Sequence, residues 1–441
     1  MTVSYASYKP TAGGSDYPSK INDFMDKVAT DMGDRALSSD VAALDKTALH
    51  AHSNKTALDL VSGENTGDQD LSGLQATLVS GTNIKTINSQ SLLGSGDITI
   101  SGGGSTPYGF FKSDSSSVVF TKTAARTISI KAGTSIMVAS TLVTIATDTA
   151  VVMPSLTGGT DYAIYACTDG TVRADASFTN PTGYTTNNSR MIGGFHYGLV
   201  AAGTTVAGGS FATTGNGMIW TQADVDKIAG VNQYSLWDLK FRPLCDPRGM
   251  ALCAGRTWVD IYFCGTNHIA NGTSKAGTDI ASGTVLPRKP LEFGGNGTTT
   301  YPAPTWWDFS EIVNSHKKRL IHEQEFVLAA FGVTENQSID ATASTYPTTQ
   351  RNAGYTSKYG LEQASGHHYT WGEDSAGSAS AWVANGGRGQ SYNNSIVRVL
   401  LGGNRTDGAN SGSRCVVWSY LPANCNWYVG VRAAADHTIL I

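Results

Sequence analysis

VRVLLGGNRTDGANSGSRCVVWSYLPANCNWYVGVRAAADH, residues 397–437, is the stretch whose reading decides the C-terminal architecture. Gly402, Gly403, Gly412, Arg414, Trp418, Pro422, Gly430 and Arg432 punctuate it. Between them stand small polar and aromatic residues that no core requires: Asn404, Thr406, Asp407, Asn410, Ser419, Tyr420, Asn424, Asn426 and Tyr428. Binding loops favour such residues, because Tyr offers contact area at low entropy cost while Asn and Ser offer adaptable hydrogen bonds. The segment reads as a scaffold holding an exposed recognition face, or as a Gly- and Asn-rich turn region closing a sheet.

Working outward, the chain from Gln233 is mixed. YSLWDLKFRP and WVDIYFCG read as strands. WWDFSEIVNSH places Phe309, Ile312, Val313 and His316 on one helical face, and EQEFVLAAFG follows as a second short helix. After Tyr355, Gly, Ser, Asn and aromatic residues show little periodicity until VRVLLGG and NWYVGVR. Few regular elements joined by long ordered loops rarely make a compact domain; the C-type lectin fold is one that does.

From Thr106 to about Asn232, SSVVFTKT, RTISIKAG, TSIMVAS, TAVVMP and DYAIYACTDGTVRA each alternate or run apolar, with Gly, Asp, Asn or Pro between them. Close-spaced strands without a helical pattern predict a β-sandwich over 106–232. Residues 1–105 differ. Ile21, Phe24 and Val28, then Leu37, Val41 and Leu44, form apolar stripes too thin for an isolated core. They suit a short coiled-coil stalk, with a flexible polar arm as the alternative. IKTI and DITI read as two short strands, and SGGGSTP, residues 101–107, as a linker.

The 441 residues allow about three domains at roughly 150 residues each. With 50 Gly and only 15% charged residues, composition favours a turn-rich β protein with a Ser/Thr/Asn surface. A net charge of −4 and the lack of a basic run argue against nucleic acid. Apolar runs are too short to span a bilayer, and the first residues show no signal region. The six cysteines form no CxxC pair. Cys167 and Cys264 sit in apolar runs as small core residues. A Cys415–Cys425 disulfide stays open, with free thiols the expectation.

HSNKTALD, SGENTGDQDLSG and INSQSLLGSGDITI resemble segments of bacteriophage tail fibres. Three further stretches resemble the sulfatase-modifying branch of the C-type lectin fold: KKRLIHEQEFVLAAFG at 317–332, GLEQASGHHYTWGED at 360–374, and VRVLLGGN with GVR at 397–404 and 430–432. From about Tyr108 to Ile441, phrases including TDYAIYACTDGTVRADASF, PTGYTT, GGFHY, YSLWDLKFRPLCDPRGM, GGRG, SGSR and ADHTIL resemble, in order, the major tropism determinant family of phage fibre proteins. That resemblance implies a homotrimer whose C-terminal lectin domains are diversified by a retroelement. The diversified positions then fall on Asn404, Thr406, Asp407, Gly408, Asn410, Val417, Ser419, Tyr420, Asn424, Asn426, Tyr428 and Val429. Residues two apart, such as 417 and 419, share a face of an extended backbone, with Trp418, Cys425 and Trp427 anchoring beneath.

Rival chemistry finds less support. The sulfatase-modifying enzymes use metal-binding cysteines just after the GG motif, and Asn404 to Arg414 contains none. Adjacent His367 and His368, with Glu373 and Asp374 close by, form at best a weak metal candidate, since regular backbone points neighbours apart. Asp308 and Glu311, one helical turn apart, read as solvated helix surface. The calcium triplets of sugar-binding lectins are absent, and no repeat suggests a glycan-degrading tailspike.

The expected molecule is therefore mainly β with an α+β C-terminal domain: a virion-attachment and stalk region (1–105), a β-sandwich (106–232) and a C-type lectin receptor-binding domain (233–441), assembled as a homotrimer. It is expected to act as a tail-fibre adhesin in the virion, assembled in the host cytoplasm. No catalytic residue, metal or cofactor is expected. Its partners would be a host outer-membrane protein or surface glycan and, through the N-terminal region, phage tail or baseplate proteins, with no nucleic acid and no membrane insertion. The alternative is a glycan-degrading tailspike or other polysaccharide-processing fibre.

Overall fold

The computed structural model describes residues 17–36, 109–205, 220–339, 347–377, 382–384, 390–392 and 396–439. The chain divides into one unit of residues 1–103 and a second of residues 104–441. In the first, helix α1 spans Tyr17–Ala36, with Pro18 in its first turn, where no N–H is needed. Phe24 and Val28 of the predicted stripe are half-buried and Ile21 is exposed. The Leu37–Leu44 stripe and the IKTI and DITI strands lie outside the described residues. No described helix is long and apolar enough to cross a membrane.

The second unit opens with strands β1 (Phe110–Phe111), β2 (Phe120–Ala124), β3 (Thr127–Ile130), β4 (Thr134–Val138), β5 (Thr141–Ile145), β6 (Thr149–Ala150), β7 (Thr160–Cys167), β8 (Val172–Asp175) and β9 (Ser189–Tyr197). They form sheets β1-β4-β5 and β2-β3-β6, and a larger sheet β8-β7-β9. Alternation does the work predicted for it: Ile128 and Ile130, Ile136 and Val138, and Val143 and Ile145 all turn into one shared core with Phe120, Ile164 and Phe195. β7 is buried on both faces, which explains its unbroken apolar run. Ile164 joins the main core, while Tyr165 and Cys167 meet Phe178 and Tyr184 behind it.

After helix α2 (Gln222–Ile228), strand β10 (Trp237–Asp238) joins β9. That larger sheet is thus completed beyond the predicted boundary at 232. Gly194 permits the approach, because a Cβ there would stand 2.6 Å from the Tyr162 carbonyl and 2.8 Å from the Trp237 ring. Asp238, fully buried, accepts from Val119 N at 2.9 Å, Lys240 N at 2.7 Å, Phe241 N at 2.8 Å and Lys112 Nζ at 3.1 Å. A buried carboxylate is tolerable when so fully satisfied.

The C-terminal region adds β11 (Phe241–Pro243), β12 (Met250–Cys253), β13 (Thr257–Asp260), helices α3 (His268–Asn271) and α4 (Trp306–Ser315), β14 (Arg319–Leu320) and α5 (Glu323–Ala329). Then come β15 (Tyr369–Gly377), a hairpin of β16 (Trp382–Ala384) and β17 (Gln390–Tyr392), β18 (Ile396–Leu401), β19 (Val416–Tyr420), β20 (Val429–Gly430) and β21 (Ala433–Ile439). One sheet runs β11-β21-β13-β12, with β14 also on β21; the other runs β19-β18-β15-β20. On one face of β18, Val399 and Leu401 meet Phe326 and Ala329 of α5; on the other, Leu400 meets the α4 side chains Trp306, Phe309 and Ile312.

Both predicted helices form. Phe309, Ile312 and Val313 are buried on α4, while His316 caps its end. Asp308 is no loose surface acid: its Oδ2 accepts from Thr305 N at 2.8 Å and Thr305 Oγ1 at 2.7 Å, closing a capping box. Glu311 accepts from the Tyr301 hydroxyl. The nine-residue β15, absent from the sequence reading, carries Gly and mixed polarity rather than alternation. All six cysteines are free thiols, with Cys167 and Cys264 fully buried.

Candidate functional site

The Gly402-Gly403 pair turns the chain out of β18. Their φ values are +94° and +80°, and a Cβ would strike Phe326 at the first and Ser411 at the second. Only glycine takes that path cheaply. The loop that follows is braced from within. Asn404 Oδ1 accepts from Thr406 N at 2.6 Å and Thr406 Oγ1 at 2.7 Å, and Asp407 Oδ2 accepts from Asn404 N at 2.8 Å. Ser338 donates to the Asn404 carbonyl at 2.7 Å and accepts from Gly408 N at 2.8 Å. Glu335 accepts from Ser413 N at 2.9 Å and Ser413 Oγ at 2.5 Å. Thr406, Gly408 and Asn410 are therefore presented to solvent on a fixed loop, with Asp407 half-buried. Asn404, read as a contact residue, is buried and serves as an internal post.

On β19 the expected parity fails. Leu400 pairs with Val417 and Arg398 with Tyr420, so Trp418 and Ser419 together oppose Val399 in a bulge. Val417 and Tyr420, three apart, both pack on the α4-side core, and Val417 does not share a face with Ser419. Ser419 is exposed. Trp418, expected as an anchor beneath the face, is 39% exposed. The bulge turns it outward.

The 421–428 loop is moored by Pro422 O accepting from Trp306 N at 3.0 Å and Asn426 O from Gly283 N at 2.9 Å. Asn424, Asn426 and Tyr428 are half-buried, and Val429 is buried in its pairing with Tyr369. The hydroxyls of Tyr420 and Tyr428 lie 2.5 Å apart. Tyr420 meets Trp371 edge-on at 6.4 Å, and Tyr428 meets Tyr369 at 6.1 Å. Burial, then the hydrogen bond to Tyr420, push the Tyr428 hydroxyl up to about 12. For Tyr369, burial and the neighbouring Asp407 carboxylate act in the same direction. A line from Asp407 through Tyr369 and Tyr428 to Tyr420 thus joins the two loops to β19.

Below this surface, Arg432 is 1% exposed and its guanidinium donates to the carbonyls of Asp260 at 2.7 Å, Ile261 at 2.5 Å and Glu362 at 2.6 Å. It ties these segments together, whereas Arg414 is exposed. His367 and His368 do not diverge: their Nδ1 atoms lie 2.8 Å apart in the core. Burial, then His367 and Arg405, hold His368 well below the ordinary histidine range, as suits a structural ring. No group of three or more metal-ligating residues occurs among the described residues. Sequence reasoning missed Glu335, Ser338 and Tyr369, which act across separations such as 78 and 66 residues that carry no local signal.

A family profile described as Mtd second domain matches residues 118–238. The tail fiber receptor-binding protein of Bordetella phage BPP-1 is 45% identical over 343 residues, covering 75% of this chain and 85% of that protein. The chain belongs to the major tropism determinant family. Solved structures of family members agree. The M1 variant of the major tropism determinant has a TM-score of 0.66 at 44% identity, covering 76% of this chain and 87% of its own. The P3c variant has a TM-score of 0.65 at 45% identity, with the same coverage. The mostly β architecture with few helices is thus that of the major tropism determinants.

Proposed function

We propose that this chain is the receptor-binding protein of a phage tail fibre, carried on the virion, and that it acts by adhesion rather than catalysis. Its C-terminal region we read as a C-type lectin domain, with two larger sheets and helices α4 and α5 holding long braced loops. The contact face comprises Thr406, Asp407, Gly408, Asn410, Ser419, Tyr420, Asn424, Asn426 and Tyr428. Asn404, Val417 and Val429 support it from below. The observation that carries the proposal is the coincidence of residues that reach solvent, Thr406, Gly408, Asn410 and Ser419, with a rigid frame of Gly402, Gly403 and Arg432 beneath them. Surface substitutions of this kind usually change stability by within about 0.5 kcal/mol, so such a face can vary freely.

We further propose a homotrimer, with the region before residue 104 attaching it to tail or baseplate proteins and the receptor a host outer-membrane protein or surface glycan. Several modest sites on one particle raise avidity by about 10²–10⁴ where geometry allows. Purified full-length protein should bind host cells and block phage adsorption while leaving host polysaccharide chain length unchanged. Release of oligosaccharides would favour a tailspike instead.

A further inference from the structure

On the side of β19 opposite Tyr420, a cleft of about 750 Å³ opens between β15, the N-terminal turn of α5 and the β12–β13 turn. Its walls include Trp418, Leu328, His322, Glu323, Glu373 and Asp374. Trp418 and Leu328 are 39% and 41% exposed, so a large apolar surface faces this space uncovered. Two separate backbone irregularities aim the walls inward. The β19 bulge turns out Trp418. On β15, Trp371 pairs with Leu400 and Ser375 with Arg398, so Gly372, Glu373 and Asp374 together oppose Val399. Bulges of this kind commonly re-aim side chains at functional sites.

The carboxylates differ in what they already hold. Asp374 Oδ1 lies 2.9 Å from His322 Nδ1 and its Oδ2 accepts from Glu323 N at 2.6 Å. Glu325 is held by Arg319 at 2.7 Å. Glu323 and Glu373 accept no side-chain hydrogen bond from any described residue, and they line the cleft with the indole. We propose that the cleft binds a basic sugar: a hexosamine with a free amino group, its ring lying against Trp418 and its ammonium met by Glu323 and Glu373.

Three features favour this ligand. An exposed indole offers a flat apolar surface for the C–H face of a pyranose and a negative π face toward a cation. Carboxylates form the stronger, charge-assisted hydrogen bonds with an ammonium, and in this cleft Glu323, Glu325, Glu373 and Asp374 outnumber Arg256, so the lining disfavours acidic sugars. The volume lies within the range of about 300–1,000 Å³ typical of small-molecule sites and far exceeds what one lysine ammonium fills. This site is separate from the Tyr420 face and would add a fixed glycan contact to a variable one.

The test is calorimetry and saturation-transfer NMR on the full chain with four probes: a glucosamine tetramer, its N-acetylated counterpart, cellotetraose and spermidine. The glucosamine tetramer should bind at least tenfold more tightly than the other three. Trp418→Ala should abolish that binding, and Glu373→Gln should weaken it at least tenfold with melting unchanged. Asn410→Lys, at an exposed loop position away from the cleft, should leave sugar binding intact while reducing host adsorption, so failure of the cleft and failure of the adhesion reading are told apart. No binding at millimolar sugar, equal binding of spermidine, or full binding by Glu373→Gln would overturn the proposal.

Discussion

Arg432 shows how much one side chain can carry in this architecture. It is buried over the Phe263 ring at 4.6 Å and satisfies carbonyls from the β13 end and from the segment before β15. Arg432→Ala would leave those carbonyls unpaired, at about 1–3 kcal/mol for each buried group so stranded. A large fall in melting temperature is expected, and an unchanged melting curve would refute the tie. Trp418 makes the opposite case. A fully buried Trp lost to Ala costs about 3–5 kcal/mol, but at 39% exposure the indole has already kept much of its surface in water. Trp418→Ala should therefore melt close to the parent, measured by calorimetry. Sequence alone suggested a buried anchor there, because strict alternation through WSY hides a bulge that depends on the pairing strand. The sequence marked Arg414 and Arg432 alike as punctuation, and only the fold separates the exposed one from the buried one.

At the scale of elements, α5 is fixed to the sheet by charge as well as by Phe326. Arg319 reaches Glu325 and Asp436, both at 2.7 Å, joining β14, α5 and β21. Burial works to raise the Glu325 pKa, but Arg319, His322 N–H and the Thr257 hydroxyl outweigh it and hold it near 2, below the ordinary 4.5. A carboxylate depressed in this way contributes stability that is present above its unfolded pKa and lost as pH falls through its folded one. Melting temperature should therefore drop between about pH 4.5 and pH 2, and Glu325→Gln should flatten that drop; an identical acid profile in the variant would contradict the assignment. The helices were legible because 3.6-residue periodicity is local, and so were β3 and β4 because their alternation faces one core. β15 was not, since Gly372, Glu373 and Asp374 break its pattern where the strand bulges. The bracing of the 404–413 loop by Glu335 and Ser338 was equally hidden, being a contact between distant segments.

For the whole molecule, light scattering of full-length protein should give three times 46.3 kDa; a concentration-independent monomer would remove the trimer and with it the avidity argument. The central claim is that the face formed by the 404–410 loop, β19 and the 421–428 loop recognises the host while the core beneath merely holds it. The expected positions were placed there by resemblance, and the structure separates those that reach solvent from those that support. Tyr420 and Tyr428 are half-packed, so truncating them mixes binding with stability. Asn410 and Ser419 are exposed and give the cleaner probe. The deciding measurement is host adsorption of Asn410→Lys and Ser419→Lys beside a control, Ala201→Lys, in the exposed turn after β9, with melting curves on the same samples. Adsorption should fall at least tenfold, roughly 1.4 kcal/mol or more, for the first two and hold for the control, with all three melting near the parent; normal adsorption by both Lys variants, or equal loss in the control, would contradict the account.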